Sequence, residues 1–424
     1  MYREGRGAVK AIVLGGGLIG VCTAYYLAKA GHEVAVIERQ PEAGCETTFA
    51  NGGLIAVGHA ATWAEPSAPL MLLKSLWQAD SAIRFRPSLD PALWAWGLRF
   101  LANCTAQRYR VNTLRNLRLS RYSHEVMAAL REETQIPYDE ATKGILYVYR
   151  DAARLGHSAK GWALVRDHGV EVEVKNAAES VQIEPALAPA RDKFVGAIYS
   201  PSDESGDACM FTRHLAKLCE GLGVRFTYGA SISGLKANAE AVESVVTDKG
   251  EFVADNYVLA AGSYSPSIAR SIGVRLPIYP IKGYSVTVPI GGRQGAPTVG
   301  VIDESTRVAF VRLGERLRLA GIAEFSGYDA SYKPRDFGTM FKAAKELFPD
   351  GGDYDRPEFW ACLRPMTPDG PPIMGRGRHR NLYFNIGHGH LGWTMGCGAG
   401  RVIADLIAGR RPGIDLDGLT IDRF

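Results

Sequence analysis

Apolar residues run unbroken through AIVL (11–14) of the segment KAIVL (10–14), the pattern of a strand buried on both faces. They recur at helical spacing through 18–30, where Gly31 supplies a stop, and return in EVAVIE (33–38). This stretch predicts one βαβ unit. Residues 66–135 carry apolar positions at helical spacing, including Leu114, Leu117 and Leu119, then Tyr122, Met127 and Leu130, and predict mainly helix. GILYVYR (144–150) and GAIYS (196–200) read as strands, 209–221 as a helix, and 224–228 followed by Ile232 as strands. A hairpin is expected around Lys249-Gly250, between 245–248 and 252–254. YVLAA (257–261) is again a continuous apolar strand suited to a parallel sheet. Residues 278–325 are strand-rich, 382–386 reads as a strand and 393–408 as a closing helix. No internal repeat or low-complexity segment interrupts the chain. Strand–helix alternation at both ends, with other material between, predicts an α/β domain interrupted by insertions.

At 424 residues the chain is long enough for two domains. With 46% hydrophobic and 22% charged residues it has the balance of a soluble globular protein. A net charge of +4, with acids and bases mixed, gives no reason to expect a nucleic-acid partner. No stretch reaches the roughly 18 consecutive apolar residues of a membrane span. Seven dispersed cysteines with no C-x-x-C pair fit a reducing compartment and exclude an obvious metal site. Arg3, Arg6 and Lys10 ahead of the first apolar run mimic a secretory signal ending at Ala28-Lys29-Ala30, but the glycines inside the run have a better explanation.

Gly15-Gly16-Gly17-Leu18-Ile19-Gly20 fits G-x-G-x-x-G between the first strand and the first helix. Gly15 permits the tight turn, Gly17 lets a pyrophosphate approach the backbone, and Gly20 lets helix and strand pack closely. The N–H groups and partial positive charge of a helix N-terminus then face the phosphates. Glu38, at the end of the second strand, is placed to accept from ribose hydroxyls, with Arg39 beside it. A simple NAD domain would continue into another strand. Here Thr47, Thr48, Asn51, Gly52 and Gly53 offer hydroxyls and small residues along an extended path, which suits the longer FAD.

The motifs VIERQPEAGCETTFANGG (36–53), PSDESGDACMFT (201–212), AAGSYSP (260–266), YPIKGYSVTVP (279–289), LRPMTPDGPPIMG (363–375) and NIGHGHLGWTMGCGAG (385–400) together resemble the glycine oxidase and D-amino-acid oxidase superfamily. Within it they are most similar to the small-subunit-type bacterial D-amino-acid dehydrogenases, from about Val9 onward. The resemblance implies a Rossmann-like FAD-binding domain (1–58, 207–272 and 356–424) interleaved with an α+β substrate domain built on an antiparallel sheet (59–206 and 273–355). It implies that Gly15, Gly17 and Gly20, flanked by Leu18 and Ile19, cradle pyrophosphate, that Glu38 holds the ribose, and that Thr47 and Thr48 reach the phosphates. Asn51, Gly52, Gly53 and Leu54 would follow the flavin, Ile232 the adenine, and Ala261-Gly262 the dinucleotide. Gly389, His390, Leu391, Gly392, Trp393 and Thr394 would approach the flavin pyrimidine, where N–H groups meet developing negative charge.

Arg364 matches the position that holds the substrate carboxylate in related oxidases, and its fork suits bidentate recognition. The alternative is a structural arginine paired with Asp369. His59, Tyr279 and His390, with Lys282, Tyr284 and His388, are further pocket candidates, each with packing as the alternative. Leu54, His59 and His390 depart from the dehydrogenase pattern and leave room for a cyclic imino acid such as D-proline or hydroxy-D-proline. Cys362 stands where sarcosine-oxidase-type relatives attach flavin covalently; non-covalent FAD is the expectation, and no metal is expected. The reaction implied is oxidation of a D-amino or D-imino acid by hydride transfer to flavin N5, with electrons passed to a quinone or other acceptor. An oxygen-using oxidase and an electron-relay subunit are the alternatives. A nicotinamide-dependent reductase lacks a second G-x-G-x-x-G. The resemblance also implies a cytoplasmic location with peripheral attachment to the inner face of the cytoplasmic membrane.

Overall fold

The computed structural model describes residues 7–75, 82–86 and 88–424. Arg3 and Arg6 of the signal-like run lie outside the described residues. The rest of that run is β1 (Lys10–Leu14) and α1 (Leu18–Lys29), followed by β2 (Glu33–Ile37). The central insertion holds α2 (Ala68–Ser75), β3 (Ile83–Phe85), α3 (Pro91–Asn103), α4 (Ala106–Thr134), β4 (Ile145–Tyr149), β5 (Glu173–Asn176) and β6 (Gly196–Ser200). The chain then forms α5 (Ala208–Gly221), β7 (Arg225–Thr227), β8 (Asn256–Leu259), β9 (Tyr279–Pro289), β10 (Gly300–Asp303), β11 (Val308–Leu313) and β12 (Arg316–Phe325). It ends with β13 (Glu358–Met366), β14 (Ile373–Arg376), β15 (Leu382–Ile386) and α6 (Gly392–Ile407).

Two sheets organise these elements. The first has the order β14-β15-β8-β1-β2-β7, with β1 parallel to both β8 and β2. Its central strands are apolar because both faces are covered: α1 and α5 pack on one face, and the 232–252 hairpin region and the segment 268–278 on the other. The second sheet has the order β13-β9-β12-β11-β10-β4-β6-β5, with β3 beside β12. It is antiparallel except where β4 meets β10 and β3 meets β12, both parallel. The expected hairpin forms between Val242–Thr247 and Gly250–Phe252. Two segments sit differently from the expected boundaries. Residues 358–366, expected with the nucleotide domain, form β13 and pair with β9 in the second sheet. The long helix α4, expected with the substrate domain, buries Met127 and Leu130 in the core around α1.

Helix α6 lies against α1 and α4 through small residues. At Gly400 a Cβ would stand 2.7 Å from the Cys22 carbonyl carbon and 2.8 Å from the Thr23 nitrogen, so backbone meets backbone there. Gly400→Ala must push α1 and α6 apart. Overpacking of this kind costs about 1–3 kcal/mol. The variant is expected to melt several degrees below wild type by calorimetry, and an unchanged midpoint would show that the helices separate freely.

Candidate active site

One long cavity of about 680 Å³ runs from the β1–α1 turn to the face of the second sheet. At its first end Gly15 takes φ +113°, and a Cβ there would stand 2.7 Å from the Ala260 carbonyl oxygen. Gly17 opens on the cavity, where a Cβ would meet only Thr48 Oγ1 at 3.6 Å. Gly20 does not line the cavity; a Cβ on it would reach within 1.9 Å of the Gly15 oxygen, so it serves packing. Gly17, the residue that opens α1, offers no side-chain cap, and the first turn holds no acid, which leaves this helix end fit for an anionic group. Thr48 Oγ1 accepts from Leu18 N (3.2 Å), and Thr47 Oγ1 donates to the Leu363 oxygen (2.9 Å).

Glu38 accepts from Gly16 N at 2.6 Å and Gln40 N at 2.8 Å, which fixes its carboxylate at the cavity wall. Burial raises its pKa against these two bonds. Arg39 stacks on Tyr264, 3.7 Å from the ring centroid. Tyr264 lines the cavity, and the sequence reading missed it. Leu18, Ile19, Ile232, Ala261 and Gly262 line the same end. Asn51, Gly52, Gly53 and Leu54 continue along the wall. Arg318, also missed, is buried and holds this segment by donating to the Asn51 oxygen (2.9 Å). Gly389, His390, Leu391, Gly392, Trp393 and Thr394 close the opposite wall. Trp393 Nε1 donates to the Gly206 oxygen, and Thr394 Oγ1 accepts from Ala56 N. A helix N-terminus free of acids, an anchored acid and a long glycine-lined slot fit FAD.

Arg364 projects from β13 into the cavity and crosses β9. It can lie there because residue 283 is glycine: a Cβ would stand 2.4 Å from the Arg364 Cζ. Its Nη1 donates to the Ile322 oxygen at 2.9 Å. Ile322 sits at φ +56°, an unusual conformation for a β-branched residue, within the register shift where β9 meets β12. Such a conformation costs about 1–3 kcal/mol and persists only when its surroundings impose it. Asp369 is not the partner of Arg364. It pairs with Arg423 (Nε–Oδ2 2.7 Å).

Tyr279 requires a correction. Its side chain does not line the cavity; it packs on Trp96, and its hydroxyl donates to Asp90 Oδ2 at 3.2 Å. Lys282 is also reassigned, and Tyr284 borders the cavity while its hydroxyl turns away from it. Alternation along β9 sends both to the face opposite Arg364, where Glu324 takes the Lys282 ammonium (2.9 Å) and the Tyr284 hydroxyl (2.6 Å).

His59, His388 and His390 do line the cavity. Burial pushes His59 down to about 4 and His388 down to about 3, and lowers His390 well below its ordinary value. All three imidazoles are therefore neutral at physiological pH, and Nε2 of His388 and of His390 has no partner in the protein. His59 stacks on Tyr147, and His390 on Trp63. Cys362 lines the cavity beside Arg364, and burial pushes its thiol up, away from a reactive thiolate.

A nucleotide-binding sheet covered on both faces, whose cofactor slot opens onto a second sheet bearing a cationic anchor, defines a flavin-dependent oxidoreductase. The chain belongs to the FAD dependent oxidoreductase family, whose model matches residues 10–406. It is 49% identical to the D-amino acid dehydrogenase of Paramagnetospirillum magneticum over 98% of this chain and 99% of that protein. It is 47% identical to the D-amino acid dehydrogenase of Methylobacterium radiotolerans over 97% of this chain and 99% of that one. Among solved structures it shares its fold with glycine oxidase from Geobacillus kaustophilus (TM-score 0.77, 21% identity, 99% and 100% of the two chains covered). It shares it also with L-proline dehydrogenase from P. horikoshii (TM-score 0.73, 20% identity, 97% and 96% covered). The protein is an enzyme that uses FAD.

Gly283→Ala tests the seat of the guanidinium. Displacing Arg364 should lower kcat/KM by about tenfold to a hundredfold, the value of one charged hydrogen bond, while FAD content stays near wild type. Unchanged kinetics would mean that Arg364 does not need this position.

Proposed function

We propose that this enzyme oxidises D-amino acids or cyclic D-imino acids to the corresponding imino acids. For primary amines water then yields a 2-oxo acid and ammonia. The observation that carries the reading is Arg364: a half-buried, pre-positioned guanidinium in the cofactor cavity, with no carboxylate of the protein within 4 Å among the described residues. FAD supplies the acceptor for the α-hydride when bound. Arg364 holds the substrate carboxylate and so fixes where the Cα–H bond points. The neutral His59, His388 and His390 leave that anchor without a competing cation close by and can accept or donate a hydrogen bond to the amine or a water. Near-full-length similarity to D-amino acid dehydrogenases supports the D configuration.

Electrons pass, in this reading, to a quinone or another acceptor at the inner face of the cytoplasmic membrane. No helix among the described residues is long and apolar enough to cross a membrane. A surface contact is supported by α3, which buries Leu93, Trp96 and Phe100 and exposes Trp94, Leu98 and Leu101 on its other side. Leu89, 95% exposed, precedes it, Leu70 and Leu73 of α2 are exposed too, and Arg99, Arg108 and Arg110 are exposed on α3 and the start of α4. Apolar side chains bordered by arginines suit a bilayer containing anionic lipid. Phe100 and Met71 of the same helices line the cavity, so this surface lies over one of its walls.

Anaerobic D-alanine or D-proline should bleach the flavin, and the L-enantiomers should not; the reverse result would overturn the stereochemical assignment. Arg364→Ala should lose about tenfold to a hundredfold in kcat/KM with FAD retained, and Arg364→Lys should recover only part, because a point charge cannot reproduce the fork. Loss of FAD in Arg364→Ala would mean a structural role instead. Separately, the protein should sediment with vesicles containing anionic lipid, and Leu98→Ser with Leu101→Ser should release it. Equal sedimentation of the two would remove α3 as the contact surface.

A further inference from the structure

The turn joining β10 to β11 carries Glu304 into the cavity wall. Three contacts make this turn rigid. Asp303, fully buried, is paired with Arg150 (2.7 Å) and accepts from Ser305 N (2.9 Å). Glu304 N donates to the Val148 oxygen (3.0 Å). The Glu304 carboxylate, by contrast, has no hydrogen bond among the described residues. The neutral imidazole of His59 stands beside it, with Nε2 4.0 Å away. The side chain keeps 26% exposure, so it is reachable from the cavity, and a carboxylate without a hydrogen bond of its own on a ligand cavity points to a ligand.

The sheet register places it relative to Arg364. Asp303 pairs with Val308, and Ala309 with Ala320, so the 304–307 turn hangs level with Gly321 and Ile322. The Ile322 oxygen is the group that holds the Arg364 guanidinium. Adjacent strands lie about 4.8 Å apart, which sets Glu304 roughly 10 Å from that anchor over the same cavity. A carboxylate bound at Arg364 therefore sits one extended side chain away from Glu304. Six bonds of about 1.5 Å, from the carboxyl carbon of lysine to its ammonium, span roughly 7.5 Å as a zigzag, before a hydrogen bond at each end. Three or four methylenes bridge the interval without stretching. Between the two ends lie His390, stacked on Trp63, and His59, stacked on Tyr147, ring faces that suit an alkyl stem and a cation.

We propose that Glu304, with His59 beside it, forms a distal subsite for an ammonium or guanidinium at the end of the substrate side chain, so that the cavity accepts basic amino acids lying between Arg364 and Glu304. This rests on the reading of Arg364 as carboxylate anchor. Two carboxylates, Glu304 and Glu65, line this end of the cavity with one guanidinium, Arg307 of the same turn, which is exposed and reaches Met71 Sδ (3.3 Å). Burial pushes the Glu304 carboxyl up to about 7, opposed by Arg307 and aided by Asp303 and Glu65; an arriving cation ionises it.

The test compares D-lysine with D-norleucine, its uncharged counterpart of the same reach, on the FAD-loaded enzyme with a dye acceptor. Wild type should prefer D-lysine in kcat/KM by at least about tenfold, the worth of a charged hydrogen bond. The isosteric Glu304→Gln should erase that preference, and Glu304→Lys should move it toward D-glutamate. FAD content and melting point of each variant report folding. An equal preference in wild type and Glu304→Gln overturns the subsite while D-alanine turnover leaves the general reading standing. If neither D-lysine nor D-alanine bleaches the wild-type flavin, the amino-acid reading fails and the subsite fails with it.

Discussion

The Arg364 guanidinium lying flat across β9 is the contact on which the rest of the site depends. Its position is set from both faces of the sheet. On the cavity face Gly283 gives it floor space and Ile322 gives it an acceptor. On the opposite face Lys282, with no exposed surface, pairs with Glu324, which also accepts from Tyr284, while Arg86 closes the cluster (2.8 Å). A buried ion pair adds little net stability, but breaking it or moving it is costly. Here it fixes register. A slip of one residue between β9 and β12 would carry Lys282 into the cavity and Gly283 out of it. With Lys282 locked opposite Glu324 and Tyr284 opposite Gly321, one extra residue must be taken up on β12, and that residue is Ile322. The strained backbone and the oriented carbonyl are thus two results of one constraint.

The electrostatics follow from enclosure. Three imidazoles around the anchor are held neutral by burial, so the positive charge in the middle of the cavity is concentrated on one group. An arginine keeps its proton in such a place where a lysine would tend to lose it. A substrate carboxylate entering the cavity trades water for a fixed fork in a medium of low polarizability, where orientation is worth more than it is in solution.

How much of this was legible in the sequence depends on which demand each residue answers. Gly15, Gly17 and Gly20 answer backbone geometry alone, and their spacing was readable without the fold, including the packing role of Gly20. Strands such as Leu382–Ile386 were readable because burial on both faces leaves an unbroken apolar run. Lys282 was misjudged as a pocket residue, and the direction of the Tyr284 hydroxyl was not legible, because a motif shows which residues are near a site but not which face of the strand they take. Tyr279 shares the cavity face of β9 yet lies past the end of the cavity, against Asp90, a partner 189 positions away in the chain. The bulge at Ile322 left no trace, since a β-branched residue is the last type expected at positive φ. Glu304 was equally silent: a single acid in a turn reads as solvated until the register of three strands places it over the cavity.

The interleaved chain explains why cofactor and substrate demands meet on so few residues. β13 leaves the second sheet at Met366 and reaches the first sheet at Ile373, so the strand bearing Arg364 runs directly into the nucleotide domain. Arg423, at the extreme C-terminus, pins this crossover through Asp369 and the oxygens of Pro371 and Pro372. Thr47 and Ser263, from two separate nucleotide-domain segments, both donate to the Leu363 oxygen, one residue before Arg364. The anchor for the substrate is therefore tied through its own backbone to the walls of the FAD slot. A shift of the cofactor-binding segments moves the arginine with them, so the distance between the bound carboxylate and the hydride acceptor is held by direct hydrogen bonds. It does not depend on how rigidly the two domains pack.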